Sequence, residues 1–433
     1  MATTLKNLIM SFTKSVDLYN YLLKNHHRRV AVISFHIGKA YGLSGEKLSN
    51  LVITAALHDI GALTVRERDE LVRMDVENPQ PHARLGSYML DSFAPFHEIS
   101  RILFYHHWSY DRDDQWVGDK GKVPVESYIL HVADRIDILL NATMPALAQR
   151  DDVTDRIRSY SGTLFHPDVV SAFESEAHKD FFWLDIDNLS MDDVMEEAIS
   201  ESLKVEMDMD LLEQFAYTIS KIIDCRSRFT ISHSFGVSAV AYKIAELLDY
   251  PEEKKRELLV AGLLHDIGKI AIPSELIEKN GKLTPAERTN VQTHAYFTDV
   301  ILKDVDGLDG IAEWAAHHHE NHDGSGYPEN LTEKNISEEM DILSYADIYT
   351  ALSENRPYRT GLSLEEIGVI LKEQFEDKHG EKIYQIVRDH LPAIDEVCKS
   401  AIRDGNNRFE IYEELARQYE EFARQYEEES ERF

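Results

Sequence analysis

The chain of 433 residues carries two sets of histidine and aspartate residues that keep the same order at nearly constant separation. His58 precedes His265 by 207 positions, and Asp134 precedes Asp347 by 213 positions. The C-terminal set is His233, His265, Asp266, His294, His318, His319 and Asp347. The N-terminal set is His26, His58, Asp59, His82, His106, His107 and Asp134. Because scattered core histidines would not keep this register, the pattern indicates a duplicated unit.

The residue types in each set are those that bind transition metals. Neutral imidazole and carboxylate ligands together favour Fe, Mn, Ni or Zn. Seven such residues are too many for one closed structural zinc site, which needs about four ligands and often uses cysteine. Because a carboxylate has two oxygens, we interpret Asp266 as a ligand that bridges two ions. Two ions about 3.5–4 Å apart can share a water, lower its pKa and hold both the attacking and the leaving oxygen of a phosphodiester.

The elements that position these side chains are expected to be helices. Thr284–Glu287 and Ser363–Glu366 are capping boxes, each of which starts a helix. Pro251 and the two glutamates after it start another helix, which runs to His265. No convincing series of alternating strands is found. We therefore predict an all-α fold of two helical bundles joined by a helical linker, with side chains aimed into an interior pocket.

The motifs around these residues resemble those of the HD hydrolase superfamily, and the C-terminal half resembles its HD-GYP branch. The matching motifs are His265-Asp266-Ile267-Gly268-Lys269, the run from His318 to Pro328, and Arg356-Pro357-Tyr358-Arg359. The resemblance covers about residues 211–370 and is specific, because several long motifs occur in the right order. It implies that the C-terminal set binds two metal ions and that Lys269 acts with Asp266 in catalysis by neutralising the scissile phosphate. It also implies that Tyr327, Arg356 and Arg359 contact the substrate.

The same resemblance implies the reaction, which is hydrolysis of a cyclic dinucleotide second messenger to the linear 5′-phosphorylated dinucleotide. Divergent HD domains followed by HD-GYP domains occur among bacterial 3′,3′-cGAMP phosphodiesterases, so 3′,3′-cGAMP is favoured and c-di-GMP is the alternative. The expected ions are two divalent ions, Fe or Mn, with Ni, Mg or Zn as alternatives. Phe229 stands where some members have a glutamate ligand for a third metal, so two ions are expected. Thr298 replaces the usual glycine, which we expect to affect packing only.

The N-terminal half resembles the superfamily but departs from its catalytic pattern. Ala62 stands in the position of Lys269, and the run from His106 to Asp114 lacks the Gly-Tyr-Pro loop. The ligand residues are kept, so this half can form a second metal site, although a domain can also keep ancestral ligands as packing. We expect a regulatory or supporting role for this half rather than efficient turnover of the same substrate.

The composition of the chain limits the classes of partner that we expect it to bind. The formal charge of -32 argues against a nucleic-acid polymer, because phosphate backbones are bound by basic faces. The sequence contains no apolar run long enough to span a bilayer and shows no signal peptide, so no membrane contact is expected. The two cysteines, Cys225 and Cys398, suit a reducing compartment. We predict a cytoplasmic protein.

The predicted organisation is a degenerate HD domain at residues 1–185, an acidic helical linker at 186–210, an HD-GYP catalytic domain at 211–400 and an amphipathic C-terminal helix at 401–433. That last helix has an apolar seam that either packs on its own chain or forms a homodimer contact. The sequence leaves two other functions as alternatives: a nucleotide-binding signalling adaptor without turnover, and a phosphohydrolase acting on a mononucleotide. Lys269 and the Gly326–Pro328 loop speak against the adaptor.

Overall fold

The computed structural model describes two compact helical units. The described residues are 3–16, 25–62, 80–112, 122–199, 206–226, 232–279, 281–354, 360–375 and 381–407. Those from 4 to 199 form the N-terminal unit, and those from 206 to 407, with Thr3, form the C-terminal unit. Within this part of the chain there is no β-strand, and the isolated bridges include Ser161–Phe165 and Asp323–Thr332. The prediction of an all-α fold with two helical bundles is confirmed.

The N-terminal unit contains ten described α-helices. They are α1 (Leu5–Val16), α2 (His26–Tyr41), α3 (Gly45–Leu57), α4 (Gln80–Asp91), α5 (His97–Phe104), α6 (Val125–Leu139), α7 (Arg150–Ser159), α8 (Pro167–Ala177), α9 (Asp180–Asn188) and α10 (Met191–Ala198). The central helix α2 packs against α3, α6 and α8. Its buried residues lie all around its circumference, as expected for a helix enclosed by others.

The C-terminal unit repeats this arrangement with nine described α-helices and a further helical segment at residues 391–407. The helices are α11 (Met209–Asp224), α12 (His233–Leu247), α13 (Glu252–Leu264), α14 (Ser274–Ile277), α15 (Pro285–Leu302), α16 (Asp309–Ala316), α17 (Glu338–Ser353), α18 (Leu364–Phe375) and α19 (Glu381–Asp389). Helix α12 packs against α13 and α17, as α2 packs against α3 and α6. The same trio of helices therefore surrounds each histidine–aspartate set.

The predicted helix starts agree with the structure. The Thr284 hydroxyl accepts from the Glu287 amide at 3.3 Å, and the Glu287 carboxylate accepts from the Thr284 amide at 2.7 Å. Ser363 and Glu366 exchange the equivalent bonds at 3.3 and 2.9 Å. Each pair satisfies two amides that a helix start would otherwise leave without partners.

Part of the acidic segment predicted as a linker packs within the N-terminal unit. Helix α10 contacts α2 and α3, and its Val194 and Met195 side chains are fully buried. Its glutamates face outward, where Glu196 pairs with Lys6 and Glu197 pairs with Lys39. Residues 200–205 of that segment, and the C-terminal helix predicted beyond residue 407, lie outside the described residues. No described helix is both long and apolar enough to cross a membrane.

The close approach of α12 and α13 depends on Gly262, and this gives a first prediction. A Cβ at Gly262 would lie 2.7 Å from the Ser238 Cα, so the two helices would have to move apart. We expect Gly262→Ala to cost about 1–3 kcal/mol through overpacking. In thermal unfolding followed by circular dichroism, the midpoint should fall by roughly 2–10 °C.

The matched control is Gly368→Ala on α18. A Cβ there would make only an ordinary contact of 3.5 Å with Leu391. Alanine also favours a helix interior over glycine by about 1 kcal/mol. Its midpoint should therefore stay the same or rise slightly, and a larger loss at Gly368 than at Gly262 would contradict this account of the interface.

Candidate metal centres

In the C-terminal unit, helix ends and helix faces bring the seven predicted ligands together. His233 is the first residue of α12, Asp347 lies on α17 and His294 lies on α15. His265 and Asp266 follow directly after α13. His318 and His319 come one residue after the end of α16. Because the helices converge at one end of the bundle, residues more than a hundred positions apart in sequence become neighbours.

The ligand atoms form overlapping groups, each compact enough to surround one ion. Within each group the candidate atoms lie no more than 4.8 Å apart. The groups are His233 with His265 and Asp347, then His265 with Asp266 and His318, and finally His294 with His318 and His319. Asp266 lies between the first and the third of these groups. One of its carboxylate oxygens is 3.2 Å from His265 Nε2, and the other is 3.5 Å from His294 Nε2. This position is the one that a bridging carboxylate would occupy.

Three histidines of the cluster are held in the orientation that metal ligands require. In each, Nδ1 donates a 2.7 Å hydrogen bond to the backbone carbonyl three residues earlier: His265 to Gly262, His294 to Val291 and His318 to Ala315. This bond fixes the tautomer, so Nε2 presents a lone pair. These three Nε2 atoms are buried and have no hydrogen-bond partner. Buried polar atoms left without a partner are costly, so the donor set fits bound cations.

The electrostatics of the cluster favour neutral imidazoles beside ionised carboxylates. Burial lowers the pKa of His318 well below its ordinary value and that of His319 to about 3. Burial works against ionisation of Asp266, but His265 and Lys269 hold the pKa of its carboxyl well below the usual range. Neutral nitrogen and ionised oxygen are the forms that bind metal.

His233 differs, because both of its ring nitrogens have carboxylate neighbours. Its Nε2 lies 3.0 Å from Asp347 and its Nδ1 lies 3.2 Å from Glu354. Burial lowers the pKa of His233, but Glu354 and Asp347 outweigh this effect and raise it to about 10. Glu354 thus orients His233, a role that the sequence did not indicate.

Thr298 links the loop after α13 to α15. Its hydroxyl accepts from the Gly268 amide at 3.1 Å and donates to the His265 carbonyl at 3.0 Å. Gly268 itself must lack a side chain, since a Cβ there would lie 2.0 Å from the His294 carbonyl oxygen. The expectation that Thr298 affects packing only was therefore too narrow, because this residue fixes the backbone of a candidate ligand.

Lys269 and Tyr327 lie at the more exposed side of the cluster. The Lys269 ammonium contacts the Asp266 carboxylate, and its side chain is 21% exposed. The Tyr327 ring lies 4.8 Å from the His319 ring, centroid to centroid, and His319 is 26% exposed. This side of the cluster is therefore the one that is open to solvent. Arg356, Arg359 and Phe229 lie outside the described residues.

Two further side chains support this face, and the sequence analysis did not single them out. The Arg226 guanidinium donates to the carbonyl of Lys269 and, at 2.9 Å, to that of Ile272. Buried Glu320 accepts from the amides of Glu329 at 2.6 Å and Leu331 at 2.8 Å, which holds the loop carrying Tyr327. The Arg226 bonds span 43 and 46 positions and the Glu320 bonds span 9 and 11, all to backbone atoms, so no local motif reveals them.

The N-terminal unit also brings its seven predicted ligands together. His26, His58 and Asp59 form one compact group, and His82, His106 and His107 form another. Oxygens of Asp59 lie 3.3 Å from His58 Nε2 and 3.6 Å from His82 Nε2. Asp134 completes the cluster, with an oxygen 3.5 Å from His26 Nε2. The N-terminal set therefore repeats the geometry of the C-terminal set.

The surroundings of the N-terminal cluster differ from those of the C-terminal one. Asp134 accepts hydrogen bonds of 3.0 and 2.6 Å from the guanidinium of the adjacent Arg135. Ala62 is fully buried where the other unit has Lys269. The seven side chains are all at most 5% exposed, so this cluster is enclosed. The sequence analysis did not single out Arg135, although its position directly after the candidate ligand Asp134 could have indicated that it contacts the cluster.

Comparison with protein families agrees with this duplicated geometry. A family model described as an HD domain matches residues 217–380, and another with the same description matches residues 23–139. Each match contains one complete set of seven histidines and aspartates. The chain is therefore a tandem HD-domain protein.

Two relatives match this chain over most of their own length. The chain is 29% identical to 3′3′-cGAMP-specific phosphodiesterase 1 of Vibrio cholerae over 81% of this chain and 83% of that protein. It is 28% identical to 3′3′-cGAMP-specific phosphodiesterase 3 of the same organism over 85% and 90% of the two chains. A crystal structure of a cyclic GMP-AMP specific phosphodiesterase from V. cholerae has the same fold, with a TM-score of 0.61 and 22% identity. The structural match covers 90% of this chain and 98% of the chain in that crystal structure.

The hydrogen bonds of Thr298 give a second prediction. Thr298→Val keeps the shape but leaves the His265 carbonyl and the Gly268 amide unpaired in a buried position, which costs about 1–3 kcal/mol. Loss of such a supporting bond weakens metal binding by about 10–100-fold. Metal affinity, measured by competition with a chromophoric chelator, should fall accordingly. Thr298→Ser keeps the hydroxyl and should bind metal nearly as wild type; equal losses in both variants would contradict this role.

Proposed function

We propose that the protein is a metal-dependent phosphodiesterase that hydrolyses a cyclic dinucleotide in its C-terminal unit. The carrying observation is the buried set of His265, His294 and His318, whose inward-facing Nε2 atoms have no partner, next to Lys269 and Tyr327. Negative charge develops on the phosphoryl oxygens when a phosphodiester is hydrolysed. In a site that excludes water, metal ions held by these histidines and the Lys269 ammonium would stabilise that charge.

Two divalent ions per catalytic unit are proposed, Fe or Mn, with Ni, Mg or Zn as alternatives. The residues that would hold them are His233, His265, Asp266, His294, His318, His319 and Asp347. When bound, such a pair supplies a nucleophilic water at neutral pH and stabilises charge on the phosphoryl oxygens.

The chain's own residues would bind and orient the substrate. Lys269 provides an ammonium for the scissile phosphate, and Arg226 keeps the backbone of Lys269 in place. The Tyr327 ring, stacked at a tilt beside His319, offers a flat surface to the ligand. We assign Arg356 and Arg359 to contacts with the phosphates, which would locally offset the chain's charge of -32.

For the substrate, we favour 3′,3′-cGAMP over c-di-GMP. The relatives that match most of this chain are named 3′3′-cGAMP-specific phosphodiesterases. A cyclic di-GMP phosphodiesterase of Pseudomonas aeruginosa is 37% identical, but over only 31% of this chain and 32% of its own length. The proposed product is the linear dinucleotide with a 5′-phosphate.

For the N-terminal unit, we propose metal binding without turnover of this substrate. His82 Nε2 lies 3.4 Å from His106 Nε2 and 3.2 Å from His107 Nε2, and burial holds the pKa of His82 at about 4. Neutral nitrogens facing one another at this distance repel unless a cation or proton lies between them. The buried Ala62 removes the ammonium that would meet a phosphate, so this unit would regulate or support its neighbour.

Three broader assignments are also proposed. The domain boundaries would fall near residues 185, 210 and 400, with the described part of 186–199 packed on the N-terminal unit. The protein would act in the cytoplasm. A homodimer would form through the helix predicted for residues 401–433.

A substrate panel on metal-defined protein tests the proposed function. Wild type loaded with Mn or Fe should open 3′,3′-cGAMP, with c-di-GMP as the slower alternative, and mass spectrometry should identify the linear product. Asp266→Ala should abolish this activity, whereas Asp59→Ala should leave it largely intact. If neither dinucleotide is cut, or if Asp59→Ala alone is inactive, the assignment is wrong. Tight binding without cleavage would point to an adaptor, and faster hydrolysis of mononucleotides would point to a phosphohydrolase.

Lys269 gives a separate prediction on the rate. Lys269→Ala removes a charge that is proposed to stabilise the transition state, so kcat should fall by about 10²–10³-fold while metal content stays unchanged. The matched control is Lys279→Ala, since Lys279 pairs with Glu287 outside the cluster. Steady-state kinetics with both variants check this expectation. A Lys269 variant with wild-type kcat would remove the lysine from the mechanism.

A further inference from the structure

The N-terminal unit has a cleft that is separate from its histidine–aspartate cluster. It is bordered by α3, α5 and the start of α6, and none of the seven candidate ligands lines it. Its volume is about 580 Å³. Sites for small molecules and cofactors typically measure roughly 300–1,000 Å³, so the cleft has room for a nucleotide.

Two buried polar side chains line this cleft without a partner. Asn50 is 9% exposed and Glu126 is 7% exposed. Within the described part of the chain, neither side chain makes a hydrogen bond or an ion pair. Their polar atoms remain accessible from the open space of the cleft. A ligand that donates to the Glu126 carboxylate and accepts from the Asn50 amide can therefore pair with both side chains.

Aromatic rings and ammonium groups complete the cleft. Tyr128 and His166 line the cleft with ring centroids 5.3 Å apart and ring planes tilted by 49°; because the Tyr128 ring is buried, the half-buried His166 ring is the surface that a base would contact. The exposed Lys47 and Lys122 lie at the rim and form no ion pair with a described residue. Arg101 also lines the rim, at 3.4 Å from Glu98. Stacking and two available ammonium groups suit an aromatic base that carries phosphate.

We propose that this cleft binds a guanine nucleotide. The N1–H and N2–H groups of guanine are adjacent donors, which match the two oxygens of the Glu126 carboxylate. The Asn50 amide can donate to the O6 acceptor of guanine. Adenine presents only one donor group, so it would leave one carboxylate oxygen unpaired, and sites reject ligands that leave buried polar groups without partners. Lys47 and Lys122 would bind the phosphate. This ligand site is independent of the hydrolytic centre.

Calorimetric titration of the full-length protein with GMP, AMP and guanosine tests this proposal. GMP should bind more tightly than AMP. Glu126→Gln keeps the size of the side chain but replaces one acceptor with a donor, so GMP affinity should fall by about ten- to hundredfold. The control is Glu46→Gln, an exposed carboxylate at the rim, which should change GMP affinity less than about twofold.

A second pair of changes keeps the test valid if Glu126→Gln disturbs folding. Lys47→Ala with Lys122→Ala alters only exposed residues, so folding should be kept. It should weaken GMP by about tenfold at low salt and leave guanosine unchanged. The proposal is overturned if GMP does not bind, if GMP and AMP bind equally, or if the double variant weakens guanosine as much as GMP.

Discussion

The C-terminal unit depends on one constraint: three buried imidazoles are turned so that their lone pairs face each other. In His265, His294 and His318, Nδ1 is tied to a backbone carbonyl of the preceding turn, which leaves Nε2 facing inward. The bundle must then supply something that accepts these lone pairs, because burial has removed water from them. Asp266, placed between the histidines, provides the negative charge that cations need. We therefore expect metal binding to stabilise the folded C-terminal unit.

The N-terminal unit places the same set of candidate ligands in different surroundings from those in the C-terminal unit. Both have the same trio of helices and the same seven residue types, but one has Lys269 at an exposed side and the other has a buried Ala62. In the N-terminal unit, Arg135 donates to one carboxylate oxygen of Asp134, while the other oxygen faces His26. Because the charges around a ligand set decide what can react there, we expect the two units to differ in activity.

The types and spacing of residues were enough to predict both sets of candidate ligands and several helix starts. The offset between His58 and His265 indicated two equivalent sets, and the capping box at Thr284 indicated a helix start that the structure contains. Glu354 and Arg226 escaped prediction, because they act on atoms that only the tertiary fold brings near. His233 and Glu354, for example, are 121 positions apart.

The same limit applies to the cleft of the N-terminal unit. Asn50 and Glu126 carry no motif, and neither residue type is unusual for a helix surface. Only their place in the cleft, together with the lack of a partner among the described residues, distinguishes them. Such residues become visible when the packed structure shows which polar groups line a cleft.

The central claim is that the C-terminal residues surround two adjacent cations, and electron paramagnetic resonance of Mn-loaded protein tests it most directly. Two Mn ions that share a bridging carboxylate give an exchange-coupled multiline signal, whereas isolated Mn gives six lines. The account predicts that Asp59→Ala retains the coupled signal and that Asp59→Ala combined with Asp266→Ala loses it. A simple six-line spectrum from fully loaded Asp59→Ala protein would contradict the account.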